Sequence, residues 1–184
     1  MLSYSVCSVA ALTAGTSVRR MAEQCKKYRP RLAVMATEAA AKELPVFYSG
    51  NMSLGIALLR ALAKKAASGL GETFDIEIIE KHHNQKIDAP SGTALAIADA
   101  IADTLSVNPE YVYDRHSVRK KRDAKEIGIH SIRGGSIVGE HQVIFAGHDE
   151  VITLTHQAQS KEVFAIGSIN AAVYLSGKNP GMYD

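Results

Sequence analysis

Thr73-Phe74-Asp75-Ile76-Glu77-Ile78-Ile79-Glu80 alternates apolar and charged side chains. In an extended chain Phe74, Ile76 and Ile78 fall on one side and Asp75 and Glu77 on the other, the period of a half-buried strand. A loop from His82 to Pro90 follows. Then comes Ser91, whose hydroxyl suits a helix N-cap. Behind it Ala94, Ile97, Ala98, Ile101 and Leu105 recur at helical spacing. Strand, polar loop and capped helix in this order begin a lobe in which a sheet carries helices.

Downstream, Ser106 to Glu126 is polar and basic and predicts a long excursion. Strands are expected over Ser136 to Ala146 and Val151 to His156, joined by the turn Gly147-His148-Asp149. A last helix from about Lys161 to Leu175 is expected to bury Val163, Ile166, Ile169 and Val173, with Gly177 ending it.

Upstream, Ser49 to Ser53 reads as a turn into a helix reaching about Ser68. Leu58, Leu59, Leu62 and Ala66 form its apolar stripe, and Gly69 and Gly71 stop it. Val46-Phe47-Tyr48 reads as a buried strand, preceded by a short helix from Glu38 to Glu43. Further back, the pattern is a strand (Val6 to Leu12), a turn (Thr13 to Thr16), a helix (Ser17 to about Tyr28) and a strand (Leu32 to Met35). Val18, Met21, Ala22 and Cys25 share one helix face. This β-turn-α-β unit is the building block of a doubly wound sheet.

With 184 residues, 46% hydrophobic and 22% charged, the chain can form a real core. Trp is absent and aromatics are 6%, which argues against a stacking surface for nucleic acid. Cys7 and Cys25 make neither a zinc spacing nor a disulfide framework, so a reducing cytoplasm is expected. The short apolar run Ser5 to Ala14 carries its charges, Arg19 and Arg20, on the wrong side for a secretory signal. It reads as a buried strand, with a signal peptide as the alternative. Arg119-Lys120-Lys121-Arg122 reads as a solvated loop, with nucleic-acid binding or attraction of acidic ligands as the alternatives.

The densest chemistry lies in Glu80 to Thr93, where a strand gives way to a helix. His82 and His83 are adjacent, so in extended chain they point to opposite sides and serve different purposes. A histidine exchanges protons near neutral pH. Lys86 offers a positive charge or an acid. Ser91, Gly92 and Thr93 put N–H groups and hydroxyls at a helix N-terminus, which suits a carboxylate or phosphate. The set points to an anionic small molecule that undergoes proton transfer. The alternatives are a surface loop with an ordinary Ser cap, and a metal site of His82, His83 and Asp88. The metal reading lacks a third spaced His or Cys. Arg133, followed by two glycines at a strand edge, is expected to face the site. His130, His141 and His156 are expected to be hydrogen-bonded structural residues.

The run His82-His83-Asn84-Gln85-Lys86-Ile87-Asp88-Ala89-Pro90-Ser91-Gly92-Thr93-Ala94 resembles the signature of dihydrodipicolinate reductases. The likeness runs from about Leu44 to Asp184. It includes Phe47-Tyr48-Ser49-Gly50-Asn51-Met52-Ser53-Leu54-Gly55, Arg133-Gly134-Gly135 and Val138-Gly139-Glu140-His141. The resemblance implies a cyclic dicarboxylate substrate, NADPH or NADH as hydride source, and a homotetramer packed through C-terminal sheets. It implies His82 as proton donor and acceptor and Lys86 as proton donor. His83, Ser91, Gly92 and Thr93 would hold substrate, and Ser49, Gly50, Asn51 and Met52 would line the nicotinamide side. No resident metal is implied. The fold class expected is α/β plus α+β. A truncated Rossmann-like segment (1–52) precedes a lobe (53–184) with a mixed sheet flanked by helices.

The resemblance stops at the N-terminus. No G-x-G-x-x-G precedes Asn51, and Gly15 is the only Gly before Gly50. Val9 to Val18, Met21 to Cys25 and Pro30 to Met35 instead resemble part of the NADPH-binding domain of 1-deoxy-D-xylulose 5-phosphate reductoisomerase, so the sequence is chimera-like, joined near Ala39 to Leu44. Two functions follow: a reductase with an impaired cofactor site, or a non-catalytic, oligomerising lobe that binds a dicarboxylate.

Overall fold

The computed structural model describes Ala11–Ala14, Glu23, Lys27, Leu32–Met35 and 45–184. The chain forms two compact units, Met1–Ser49 with Ala165–Asp184, and Gly50–Phe164. In the first unit, β1 (Ala11–Ala14) runs parallel to β2 (Leu32–Met35), with Ala11 opposite Leu32. Thr13 and Ala14, expected in a turn, are therefore strand. Glu23 and Lys27 are helical. The rest of the expected 17–28 helix, the 38–43 helix and residues 1–10 lie outside the described residues.

β3 (Pro45–Phe47) pairs in parallel with β9 (Gly181–Tyr183), a strand that periodicity did not predict. Most of helix α3 (Glu162–Leu175) belongs to this unit. The helix does not bury the stripe expected of it: Ile166, Ile169 and Val173 are exposed, and Gly167, Ala171 and Leu175 are buried. The aromatic contacts give the reason. Tyr174 meets Phe47 and Tyr183 edge-on at 6.1 and 6.0 Å, which fixes the rotation of the helix about its axis.

The second unit is built on a mixed five-stranded sheet of order β5-β6-β4-β7-β8. Its members are β4 (Asp75–His82), β5 (Glu110–Val112), β6 (Glu126–Arg133), β7 (Gly139–Ala146) and β8 (Val151–Ala158). β5, β6 and β4 are parallel, and β7 and β8 are antiparallel additions. The alternation in β4 is as expected, with Ile76 and Ile78 buried. β5 lies inside the expected excursion and β6 starts at its last residue; neither strand is predicted by the pattern, although Ile127 and Ile129 of β6 lie in the core. Its glycine is required: a Cβ at Gly128 would overlap the Glu77 carboxylate on the next strand.

Helices α1 (Leu54–Leu70) and α2 (Gly92–Ala102) pack on one face of this sheet. Each starts at a serine whose hydroxyl accepts a backbone N–H, Ser53 from Ile56 at 3.3 Å and Ser91 from Ala94 at 3.1 Å. Such caps contribute about 1 kcal/mol each. α2 buries the face expected of it. α1 does not: Ile56, Leu59, Ala63 and Ala67 are buried, whereas Leu58 and Leu62 are exposed. Of the expected stripe, Leu59 is buried and Ala66 packs against the core, and the buried row is rotated from Leu58 and Leu62 toward Ile56, Ala63 and Ala67. Gly69 continues α1, and Gly71 ends it with φ of 61°.

The basic run is exposed at Arg119, Lys120 and Lys121, as expected of a solvated loop, and departs from that expectation at Arg122. Arg122 is folded against the sheet, donating to Asp75 (2.6 Å), Glu77 (3.0 Å) and the carbonyls of Ile76 and Glu126. Arg115 and Lys120 pair with the buried Glu126 at 2.6 and 2.9 Å. Three carboxylates near the strand starts hold these cations.

Arg115, then Lys120, hold the Glu126 carboxyl down at about 2, against 4.5 for the free group. The unfolded chain thus binds this proton more readily than the folded one as pH falls. The stabilisation is complete above about pH 4.5 and disappears as pH falls through about 2. Urea unfolding followed against pH should show stability declining over that interval, with a shallower decline in Glu126→Gln.

Candidate active site

Even-numbered residues of β4 share one face, so Ile76 and Ile78 are followed along it by Glu80 and His82. Glu80 is fully buried. A buried carboxylate is costly unless paired and hydrogen-bonded. Here Arg133, at the end of β6, grips it with two parallel bonds of 2.7 and 2.6 Å. The Ser91 N–H donates to Oε1 at 3.1 Å, and His82 Nδ1 lies 2.6 Å from Oε2. Burial alone would raise this carboxyl, but Arg133, then His82, Ser131 and Ser91, take it down to about 2.

The same guanidinium donates to the Asp88 carbonyl at 2.6 Å, fastening the loop between β4 and α2 to β6. His82 and Arg133 are register partners. The His82 carbonyl accepts the Gly134 N–H at 2.9 Å, and the Gly135 carbonyl accepts the Asn84 N–H at 3.2 Å. A Cβ on Gly139, on the neighbouring strand, would come within 3.2 Å of His82 Nε2. The His82 ring also meets His141 edge-on at 5.2 Å. Burial, then His82, pushes His141 down to about 4, so it is neutral at pH 7, and its Nε2 lies 3.1 Å from the Ser91 hydroxyl.

The other expected site residues are placed as follows. Lys86 pairs with Asp88 at 2.7 Å, and its N–H donates to the His83 carbonyl at 3.1 Å. His83 is half-buried. Lys86 and, through its N–H, Gly92 hold the Asp88 carboxyl below its usual range. Gly92 opens α2, is exposed, and has open space where a side chain would stand. Ser91 is buried, with its N–H and hydroxyl engaged internally. Thr93 is half-buried, and its hydroxyl accepts from Asn51 Nδ2 at 3.0 Å. Asn51 Oδ1 in turn accepts the Ser53 N–H at 2.9 Å. Asn51, expected on the cofactor side, is thus tied directly to Thr93, expected on the substrate side. Gly50 is exposed and Met52 half-buried beside Asn51, and Ser49 lies in the first unit.

Sequence reasoning gave Glu80 no role, although alternation along β4 puts it on the buried face with Ile76 and Ile78. An acidic residue at a core position was the signal. Arg133 was expected to face the site and does so through Glu80. His130 (2.8 Å from Glu77), His141 and His156 (3.4 Å from the Ser53 hydroxyl) are hydrogen-bonded as expected.

The described residues contain no Gly-rich turn to receive a pyrophosphate at a helix N-terminus. At the start of α1, Ser53 and the Asn51 side chain already occupy the capping positions. This set does not make a dinucleotide cradle.

Residues 55–184 match the family model described as dihydrodipicolinate reductase, C-terminus. Residues 4–69 match the model of 1-deoxy-D-xylulose 5-phosphate reductoisomerase, so the two overlap on α1. The 4-hydroxy-tetrahydrodipicolinate reductase of Caldanaerobacter subterraneus subsp. tengcongensis is 60% identical over 146 residues, 79% of this chain and 58% of that protein. The protein of the same name from Clostridium tetani is 54% identical, over 80% of this chain and 57% of its own length. That of Staphylococcus epidermidis is 50% identical, over 82% and 62%. The chain thus spans less than two thirds of these relatives. A dipicolinate-bound dihydrodipicolinate reductase from Paenisporosarcina sp. TG-14 shares the fold, with a TM-score of 0.68 at 24% identity over 95% of this chain and 71% of that one.

Arg133→Met should leave the buried Glu80 charge without its cation. A loss of about 3–5 kcal/mol is expected from breaking one side of such a pair, read from the urea midpoint. Arg133→Lys should recover only part of it, since an ammonium cannot bind both carboxylate oxygens in parallel.

Proposed function

Because this chain belongs to the dihydrodipicolinate reductase family, we propose that its second unit binds a cyclic dicarboxylate of the dihydrodipicolinate class and moves a proton on it. The observation that carries this reading is the convergence of His82, Ser91 and Arg133 on one buried carboxylate where β4 leads into α2. A titratable ring is held there by a fixed charge, next to a helix N-terminus.

In this reading Gly92 and Thr93 offer an N–H and a hydroxyl to one substrate carboxylate, while Ser91 caps the helix from within. Lys86 supplies the charge that Asp88 neutralises when no ligand is bound, and serves as proton donor. His83 holds the substrate from the loop, and His82 gives or takes the proton. A nicotinamide nucleotide, NADPH or NADH, would supply the hydride, with Ser49, Gly50, Asn51 and Met52 on its nicotinamide side. The domains proposed are 1–52 for the nucleotide and 53–184 for substrate, in a cytoplasmic protein.

The described residues offer this nucleotide no pyrophosphate cradle. Losing several charge-assisted bonds at about 1.5–3 kcal/mol each removes most of a micromolar affinity, about 8 kcal/mol in all. Dicarboxylate binding should therefore exceed dinucleotide binding, and turnover of 4-hydroxy-tetrahydrodipicolinate should be weak. Calorimetry with pyridine-2,6-dicarboxylate and NADPH, separately and together, tests this. Lys86→Ala should weaken dicarboxylate binding by about 1.5–3 kcal/mol. Tight NADPH binding would show that the N-terminal segment has rebuilt a cofactor site. No dicarboxylate binding would end the reading.

The sheet face opposite α1 and α2 carries Ile79, Ile132, Ile144 and Val151, with Ile132 and Val151 exposed. We propose that copies of the chain associate through this face, as a tetramer. Light scattering at micromolar concentration should give a multimer, and Ile132→Glu should dissociate it. A monomeric wild type would remove this assembly.

A further inference from the structure

We propose that Glu80 is a positioning residue that selects the reactive nitrogen of His82, holding the ring with its proton on Nδ1 so that only Nε2 exchanges a proton with a ligand. The inference rests on the reading of His82 as the proton-transfer group, but its geometry stands apart from that reading.

Oε1 of Glu80 faces the Ser91 N–H and an Arg133 N–H. Oε2 faces a second Arg133 N–H and His82 Nδ1. A guanidinium and a backbone N–H can only donate. Three of the four positions around the carboxylate are therefore fixed donors; a proton could sit only on Oε2, facing His82 Nδ1, and there it would discharge the buried partner of the Arg133 guanidinium. The carboxylate stays ionised and can only accept. His82 Nδ1, 2.6 Å from it, must carry the hydrogen. In the neutral ring the lone pair then sits on Nε2, and in the charged ring Nε2 carries the exchangeable proton. Nε2 faces Gly139, where a Cβ would come within 3.2 Å of it, so the missing side chain leaves room beside this nitrogen. The bond made by one ring nitrogen decides what the other does. Glu80 would thus act on the reaction without touching the substrate.

A glutamine at position 80 reverses the logic at constant size. Its amide has one acceptor and one donor end. With the NH2 group at Oε1 it would face two donors, Ser91 and Arg133. At Oε2 it faces one donor, Arg133, together with His82 Nδ1, which can accept once its hydrogen moves to Nε2. The second placement has fewer conflicts, so Glu80→Gln should convert His82 to the Nε2–H form.

The test is nitrogen-15 NMR of the full chain, followed upward in pH until the ring signals stop moving, with His82 assigned by its loss in His82→Gln. Wild type should show Nδ1 protonated and Nε2 bare, and Glu80→Gln should show the reverse. A second variant, Glu80→Leu with Arg133→Met, replaces both buried charges by apolar groups, a change that is often neutral for stability. It leaves Nδ1 without an acceptor, so the pure Nδ1–H form should be lost there too. A wild-type ring protonated on Nε2, or an unchanged Nδ1–H form in either folded variant, would overturn the inference. Turnover separates this from the functional reading. If the ring reverses in Glu80→Gln and turnover falls by about 10²-fold or more, both stand. If the ring reverses and turnover is unaltered, Glu80 still sets the tautomer, and it is His82 as the proton-transfer group that is refuted.

Discussion

A carboxylate with no access to water must find every one of its hydrogen bonds inside the protein, and in this chain that demand organises the whole end of the sheet where β4 stops. Glu80 takes two bonds from Arg133 and one from the Ser91 backbone, and shares a fourth with His82. These partners come from the end of β6, the N-cap of α2 and the last residue of β4 itself. Arg133 reaches on to the Asp88 carbonyl, so the loop bearing Lys86 is held by the same charge. The pair at position 82/133 sits in register across β4 and β6, which sets the two strand ends side by side. Moving either strand by one residue would turn Glu80 out of the core and leave Arg133 without its partner.

The two helices on this sheet are seated by one repeated device. Ser91 caps α2 and meets His141 of β7, while Ser53 caps α1 and meets His156 of β8. His141 and His156 are themselves cross-strand partners. A serine hydroxyl can accept a helix N–H and still bond an imidazole, so each contact satisfies two polar groups that the core would otherwise leave unpaired. Burial keeps both histidines below their ordinary range, which suits a structural role as neutral rings. Space is reserved for them, since a Cβ on Gly55 would overlap the His156 ring. The Asn51 amide links the approach to α1 with Thr93 in the first turn of α2, which joins the two helix starts on one side of the sheet.

Charge is handled differently at the other end of the sheet. Asp75, Glu77 and Glu126 face Arg115, Lys120 and Arg122. Burial would raise the Glu77 carboxyl, but His130, Arg122 and Arg115 together bring it below its free value. Glu77 and Glu126 share Arg115, so the excursion between α2 and β6 is bound to the strands it connects. One end of the sheet therefore uses its ions to hold a loop down, and the other uses a buried ion to hold a titratable ring in place.

Read alone, the sequence determined what local rules can determine. The alternation of β4 and the capped face of α2 were legible because each pattern has one polar and one apolar side. The segment from His82 to Thr93 was legible as chemistry because histidines, a lysine and a capped helix start fall together in the chain. Its motifs also pointed to the family to which the chain belongs. Other features had no local signature. α1 offers a broad apolar arc, so only packing could choose Ile56, Ala63 and Ala67 over Leu58 and Leu62. α3 was turned by the contact of Tyr174 with Tyr183 and with Phe47, the latter far away in sequence. The role of Glu80 was likewise invisible. A glutamate at a core position of a strand is a contradiction until a cation arrives, and Arg133 stands on another strand, 53 residues away. Tertiary structure alone decides such pairs, because the low polarity that makes a buried charge costly exists only after the chain has closed around it.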